Sequence, residues 1–479
     1  MPGNYNLERF TIQDIKNKIQ NGELDLRDIV SEYLATINKH AELNAFLHVY
    51  NEEALAKADE IQSKIKAGRA GSLAGAIVAV KDNIAMKGGQ LTCASNILGN
   101  FVSPYDSTVA TKLRNADAII IGKTNMDEFA MGSSGENSSV AAAKNPHNPE
   151  YVPGGSSAGS AVAVAADMCN VALGSDTGGS IRQPAAFCGV YGMKPTYGRV
   201  SRYGLVAFAS SLDQIGPFSR SVADMARMLQ VISGKDEKDS TSAPDVVPDF
   251  VAGYNQSIKG KTVGIPRQYI TEALQPEIHQ AIEDTKSKLQ AGGVKVIDVD
   301  LQMLDYCIAD YYIICTAEAS SNLSRYDGAR YGVRADDVVD LDDMYTKSRV
   351  QGFGREVKRR IMLGTYVLSA GYYDAYYRRA LKARTLIRRD FEKAFQQCDL
   401  MLSPTTPTTA FKLGENINDP LTMYLQDIYT VSLNLAGLPG LSIPTGKDNN
   451  GLPIGLQLIG KPFDEMSLLQ TGFFLENNV

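Results

Sequence analysis

The chain is 479 residues long, enough for a large buried core and for either a few domains of roughly 100–200 residues or one large α/β enzyme. Hydrophobic residues are 44% and charged residues 21%, which excludes a disordered or collagen-like chain. Forty-eight basic against 54 acidic residues give a net charge of −6, which argues against a dedicated nucleic-acid binder and leaves room for a local basic patch.

In chain order, Thr11–Gln20, Asp25–His40 and Glu52–Lys66 repeat apolar residues at three-and-four spacing and predict helices, so residues 1–70 read as an N-terminal helical flank. From Gly75 the pattern changes. Ala76–Val80 and Ala118–Ile121 are short, β-branched apolar runs suited to central strands covered on both faces, with Val171–Gly174 a weaker third. They alternate with helical stretches at Thr108–Ala116 and Ser221–Ile232, which predicts an α/β layered architecture. Residues 234–250 are polar and aperiodic and read as a loop. Strands at Thr262–Ile265 and Val294–Val299 flank a helix at Glu277–Ala291, and Leu441–Pro444 and Gly455–Ile459 form a final apolar pair.

The six cysteines form no Cys-x-x-Cys pair and read as reduced, mostly buried thiols. No apolar run reaches about 18 residues and Met1–Arg9 has no signal-peptide layout, so a cytoplasmic protein without membrane contact is expected. Only His40, His48, His147 and His279 are present, none paired at metal-ligand spacing, so no metal site is expected and histidine catalysis has little material.

Several motifs fail on inspection. Gly122-Lys123-Thr124 and Gly260-Lys261-Thr262 lack the phosphate-loop glycine, because Asp117 and Asn255 stand there. Ser63-x-x-Lys66 lies inside an amphipathic helix. Gly155-Ser156-Ser157-Ala158-Gly159 fits a nucleophile elbow centred on Ser157, but the only downstream histidine is His279, on the polar side of a predicted helix.

Glycine is clustered, most densely in Pro153–Ala161 and Gly174–Arg182. Glycines beside serines permit backbone torsions closed to other residues and leave amide N–H groups uncovered, as an oxyanion site requires. A serine hydroxyl needs a neighbour to take its proton, and without histidine the available base is a neutral lysine. Lys81 is the candidate, since it closes the most apolar strand, where burial favours the uncharged amine.

Val80-Lys81-Asp82-Asn83, the Gly-Gly-Ser-Ser-x-Gly-Ser run and Gly-Ser-Asp-Thr-Gly-Gly-Ser-Ile-Arg-Gln-Pro-Ala together resemble the amidase signature family, with Ser180 standing 24 positions after Ser156 as that pattern requires. The resemblance implies a single α/β fold with a mixed central sheet covered by helices on both faces, occupying residues 71–479 with its signature core at 150–200. It implies Ser180 as the acyl-forming nucleophile, Ser156 as the bridging serine on a cis peptide, Lys81 as the base, and the backbone of Thr177, Gly178, Gly179 and Ser180 as the oxyanion site.

Glu318–Gly328, Gly364–Tyr377 and Asn434–Pro439 are similar to a branch of that family, the glutamine-hydrolysing A subunits of aminoacyl-tRNA amidotransferases. On that resemblance Arg360 pairs with the substrate carboxylate, Asp427 with its ammonium, and Tyr311 lines the pocket. The same resemblance implies glutamine as substrate and, as partners, a B subunit, which would hold most of the tRNA contact together with ATP and Mg2+, and a small bridging C subunit, with no cofactor expected in this chain itself. Residues 355–393 carry eleven Lys or Arg against four Asp or Glu, which reads either as a solvated helix face or as a partner interface. The competing expectations are a free-standing amidase of the same family acting on another amide, and a catalytically silent scaffold.

Overall fold

The computed structural model describes residues 10–478, so the polar start Met1–Arg9 lies outside the described residues. At the N-terminus the periodic segments form helices Ile12–Gln20, Leu26–Lys39 and Asn51–Lys66. Thr11 and Asp14 close a reciprocal capping box on the first, and the Asp25 carboxylate accepts the first amides of the second. Between the second and third helices runs a strand that the hydrophobic pattern did not show.

That strand, β1 (Phe46–Val49), is the edge of one eleven-stranded sheet. The others are β2 (Ile77–Lys81), β3 (Ile119–Thr124), β4 (Val171–Asp176), β5 (Tyr191–Lys194), β6 (Gln214–Ser219), β7 (Thr262–Pro266), β8 (Lys295–Val299), β9 (Leu400–Pro404), β10 (Gly440–Lys447) and β11 (Pro453–Gly460). Their spatial order is β1-β3-β2-β4-β6-β5-β10-β11-β9-β7-β8. The sheet is mixed, as the family resemblance implied. β2 is parallel to β3 and β4, and β7 to β8 and β9, whereas β4–β6, β6–β5, β5–β10 and β10–β11–β9 are antiparallel.

Alternation along β2 shows why both faces are covered. Ile77 and Ala79 enter the core under the N-terminal helices, while Val78 and Val80 enter a second core with Val109, Leu113 and Met228. Every residue of β2 is buried, Lys81 included. Because β2 and β4 are parallel neighbours, with Val80 opposite Leu173, their carboxyl ends open into the same crevice. Such an end is where open α/β sheets hold ligands.

A second helical layer closes the crevice. Helix Leu304–Leu323 packs against Arg355–Leu368 and Tyr377–Ala394. Gly364 makes this crossing possible, since a Cβ there would overlap the Thr316 carbonyl.

Candidate active site

Lys81 ends β2 with its amine in a nest of serine oxygens. Nζ lies 2.8 Å from Ser156 Oγ, 2.9 Å from Ser157 Oγ and 3.0 Å from Ser175 Oγ. Burial pushes its pKa down to about 7, against the opposing pull of Asp127, Asp176 and Asp213. The Ser157 hydroxyl donates to the Ser175 carbonyl at 3.0 Å, so its proton is committed elsewhere. His279, the histidine that a nucleophile elbow at Ser157 would need, is exposed on helix Pro276–Ala291.

The Gly155–Ser156 peptide is cis. Around it the loop is crowded: Gly155 N–H donates to Gln183 Oε1 at 2.8 Å, Asp127 N–H donates to the Ser156 carbonyl at 3.1 Å, and a Cβ on Gly155 would overlap Asp127 Oδ2. Asp127 Oδ2 and Oδ1 accept from the amides of Gly135 and Asn137, tying residues 132–137 beneath the serine.

Ser180 stands at the end of the turn after β4, 8% exposed, with its carbonyl accepting from Ser157 N–H at 3.1 Å. The turn is built on a buried ion pair. Asp176 meets Arg182 through both carboxylate oxygens at 3.1 Å, and Arg182 reaches on to the Thr430 carbonyl, Gln457 and Asn434. Burial opposes the Asp176 charge, but Arg182, Lys194 and Asn434 overcome it and hold its pKa at about 2. Asp176 Oδ1 also accepts Gly179 N–H at 2.9 Å. This corrects the sequence reading of four oxyanion amides: Gly179 is bound to the carboxylate that shapes the turn. The amides of Thr177, Gly178 and Ser180 find no acceptor within the chain among the described residues. Gly179 itself has φ 138°, a torsion that favours glycine.

Tyr311, from helix Leu304–Leu323, lies against this turn so closely that a Cβ on Gly178 would overlap its ring. Arg360, from Arg355–Leu368, is buried. Its Nε donates to Glu356 Oε1 at 2.7 Å, and the rings of Tyr312, Tyr424 and Phe208 lie 5.4, 5.4 and 5.6 Å from its guanidinium carbon. Burial works against its charge, and Glu356 with the two tyrosines outweighs burial, so the guanidinium stays protonated. Asp427 Oδ2 accepts from Ser133 Oγ at 2.7 Å and from Tyr312 OH at 3.2 Å. Burial pushes Asp427 up to about 7, against Ser133, Arg360 and Tyr312.

Arg360 and Tyr424 line a narrow cleft with Gly132, Ser134, Glu356 and Asn416. A wider cavity of about 410 Å³, lined by Tyr50, Met86, Arg114 and Ile120, contains none of these groups. Among the described residues no cluster of His, Cys, Asp and Glu could hold a metal, and no helix is long and apolar enough to cross a membrane. All six cysteines are buried and unpaired. The basic segment divides in the structure: Arg360 and Arg384 turn inward, Arg384 onto Ser211 and the Leu435 carbonyl, while Arg378, Arg379, Lys382, Arg388 and Arg389 are exposed.

A buried lysine against serine hydroxyls, beside a glycine turn with free amides, is the chemistry of a serine-dependent amide hydrolase that works without histidine. The comparisons agree: the family model described as Amidase matches residues 28–469, and the chain belongs to that family. It is 53% identical over 473 residues, 98% of each chain, to the A subunit of glutamyl-tRNA(Gln) amidotransferase from Syntrophus aciditrophicus. The protein of the same name from Lachnospira eligens is 53% identical over 469 residues, again 98% of each chain. Among solved structures, the A subunit of the Thermotoga maritima glutamyl-tRNA(Gln) amidotransferase matches with TM-score 0.82 and 40% identity, covering 99% of this chain and 96% of that one. The peptide amidase of Stenotrophomonas maltophilia matches with TM-score 0.84 and 30% identity over 99% of this chain and 97% of its own.

Sequence reasoning missed Ser133, Ser175, Asp213, Glu356, Tyr312 and Tyr424. Asp213, which accepts Thr177 Oγ1 at 2.6 Å and the amides of Phe208 and Ala209, joins the turn to the Phe208 loop. The doubled Tyr311-Tyr312 was the one available signal, since both rings lie at the site.

Proposed function

We propose that this chain is the glutamine amidase subunit of a tRNA-dependent amidotransferase, releasing ammonia for a partner subunit that converts Glu-tRNA(Gln) to Gln-tRNA(Gln), Asp-tRNA(Asn) to Asn-tRNA(Asn), or both. The observation that carries the reading is the pairing of one buried cation with one buried carboxylate, Arg360 and Asp427, beside the lysine–serine nest. A free amino acid bears one charge of each sign, and a guanidinium with a free edge suits its carboxylate. The near-full-length likeness to curated A subunits supports the same reading.

In this mechanism Lys81 reacts as the neutral amine. A neutral amine has two N–H bonds and one lone pair, so one of the surrounding hydroxyls must donate to it; the Ser157 proton is already committed, and of Ser156 and Ser175 the family pattern gives this role to Ser156. Ser156 passes its proton to Lys81 while accepting that of Ser180, and Ser180 Oγ bonds to the side-chain amide carbon of glutamine. The oxyanion faces the amides of Thr177, Gly178 and Ser180, each such donor worth about 3–4 kcal/mol. The proton returns to the leaving nitrogen, the C–N bond breaks and ammonia departs. Water then adds to the γ-glutamyl ester by the same relay, giving glutamate and free Ser180. This reaction consumes only water, so ATP and Mg2+ belong with the B subunit, as does most tRNA contact, and C bridges the two in a cytoplasmic heterotrimer. The test is ammonia release from glutamine by the chain alone and with B and C subunits. Release in neither condition refutes the assignment, and undiminished glutamine turnover by Asp427→Ala favours the free-standing amidase instead.

A further inference from the structure

Tyr312 touches both charged groups at once. Its hydroxyl donates to Asp427 Oδ2 at 3.2 Å, and its ring lies 5.4 Å from the Arg360 guanidinium carbon. The ring is fixed on two sides, stacked on Tyr424 at 4.0 Å with an interplanar angle of 24° and met edge-on by Tyr311 at 5.0 Å and 81°. Tyr424 is held in turn, since its hydroxyl donates to Glu356 Oε1 at 3.1 Å, the same oxygen that accepts Arg360 Nε. Burial keeps the Tyr312 phenol protonated, so toward Asp427 it acts as a donor.

We infer that Tyr312 is a specificity-determining residue that sets the spacing between Arg360 and Asp427 and so selects amides bearing an α-ammonium next to the carboxylate. The inference rests on the glutamine reading and deepens it. The two charges of an α-amino acid sit on one carbon, at a separation the ligand cannot adjust, so the site must fix the distance between its own two groups. A tyrosine has only two side-chain torsions and spans that gap as a rigid spacer. Both Ser133 and Tyr312 use Oδ2 of Asp427, which leaves Oδ1 for the ligand's ammonium. Were Tyr312 only aromatic filling, the ring alone would matter. The distance to Asp427 instead assigns a role to the hydroxyl.

The test uses the full chain assembled with its B and C partners and two substrates: glutamine, and 4-carbamoylbutanoate, which keeps the carboxylate and the amide and lacks the ammonium. Tyr312→Phe is expected to lower kcat/KM for glutamine about tenfold more than for 4-carbamoylbutanoate, the size expected for one hydrogen bond to a charged group, mostly through KM. Tyr312→Leu, which also removes the ring, is expected to lower kcat/KM for both. Equal loss for the two substrates in Tyr312→Phe, or no loss in either, overturns the inference while leaving the glutamine reading intact. A wild-type complex that releases no ammonia from glutamine overturns both.

Discussion

The pH dependence of glutamine hydrolysis follows from two groups whose pKa values burial moves in opposite directions. Lys81, brought down to about 7, must lose its proton to act as base, and Asp427, raised to about 7, must lose its own to hold an ammonium. Both requirements favour higher pH, and each is about 9% met at pH 6 and about 91% at pH 8 by simple titration. For 4-carbamoylbutanoate, which has no ammonium, only Lys81 counts, and kcat/KM rises about tenfold from pH 6 to pH 8. For glutamine the two fractions multiply and the rise is about a hundredfold. Once glutamine is bound, its ammonium holds Asp427 ionised, so kcat returns to the tenfold rise set by Lys81. The charged neighbours are Asp127, Asp176 and Asp213 for Lys81, and Arg360 and Asp176 for Asp427. The assay is steady-state ammonia release by the assembled enzyme at matched ionic strength. A profile for 4-carbamoylbutanoate that is flat over this range refutes Lys81 as a neutral base, and parallel profiles for the two substrates refute the role of Asp427.

Ser180→Ala is expected to lower kcat by at least about a thousandfold, the scale for loss of a nucleophile, whereas Ser157→Ala, losing only its bonds to Lys81 and the Ser175 carbonyl, is expected to cost about ten- to a hundredfold. Mass spectrometry of the quenched reaction should find the acyl group on Ser180, and acylation of Ser157 would reverse the assignment. Arg182→Met leaves Asp176 buried without its cation and is expected to destabilise the fold by about 3–5 kcal/mol in chemical denaturation; a loss below about 1 kcal/mol would show that Lys194 and Asn434 suffice. Gly364→Ala is expected to push helix Arg355–Leu368 away from Thr316 and to raise KM for glutamine several-fold, because Arg360 rides on that helix; an unchanged KM would show that the crossing yields without moving Arg360.

Where one element settles its own pattern, the sequence was readable. The helices Ile12–Gln20 and Leu26–Lys39 have caps and period, and β2 and β3 each open on a short run rich in β-branched residues. β6 defeated that reading because Gly216 and Pro217 interrupt it. In the sheet both residues fit: a Cβ on Gly216 would overlap the Met193 carbonyl, and Pro217 lies opposite Leu173 in a strand held from both sides. β1 is too short and too mixed to show a period, and only its pairing with β3 makes it a strand. The polar part of the pocket was harder still. Ser133 and Asp427 meet across 294 residues of sequence, and Tyr312 and Asp427 across 115. No local motif encodes such contacts, so the choice of Arg360 and Asp427 rested on family likeness, whereas the loops around Ser156 and Ser180 had their own glycine signal.

Burial alone would not have singled out Lys81. Lys81, Lys123 and Lys194 all stand at or near strand ends and all are at most 1% exposed, so an argument from apolar surroundings selects the three equally. The structure separates them by what each amine faces. Lys123 is paired with Asp82 at 3.1 Å and donates to the Ile84 carbonyl, a charge neutralised in place. Lys194 is brought down to about 7 like Lys81, burial being the main cause and Arg182 the next, yet its amine donates only to the Pro195 carbonyl, which has no proton to give. Lys81 alone of the three meets serine hydroxyls, three of them within 3.0 Å. A lowered pKa supplies a lone pair, and a hydroxyl in reach makes that lone pair useful. The second condition is set by the parallel pairing of β2 with β4, which brings residues 81 and 175 together, and by the bonds of the Ser157 hydroxyl to the Ser175 backbone, which hold the serine loop beside them.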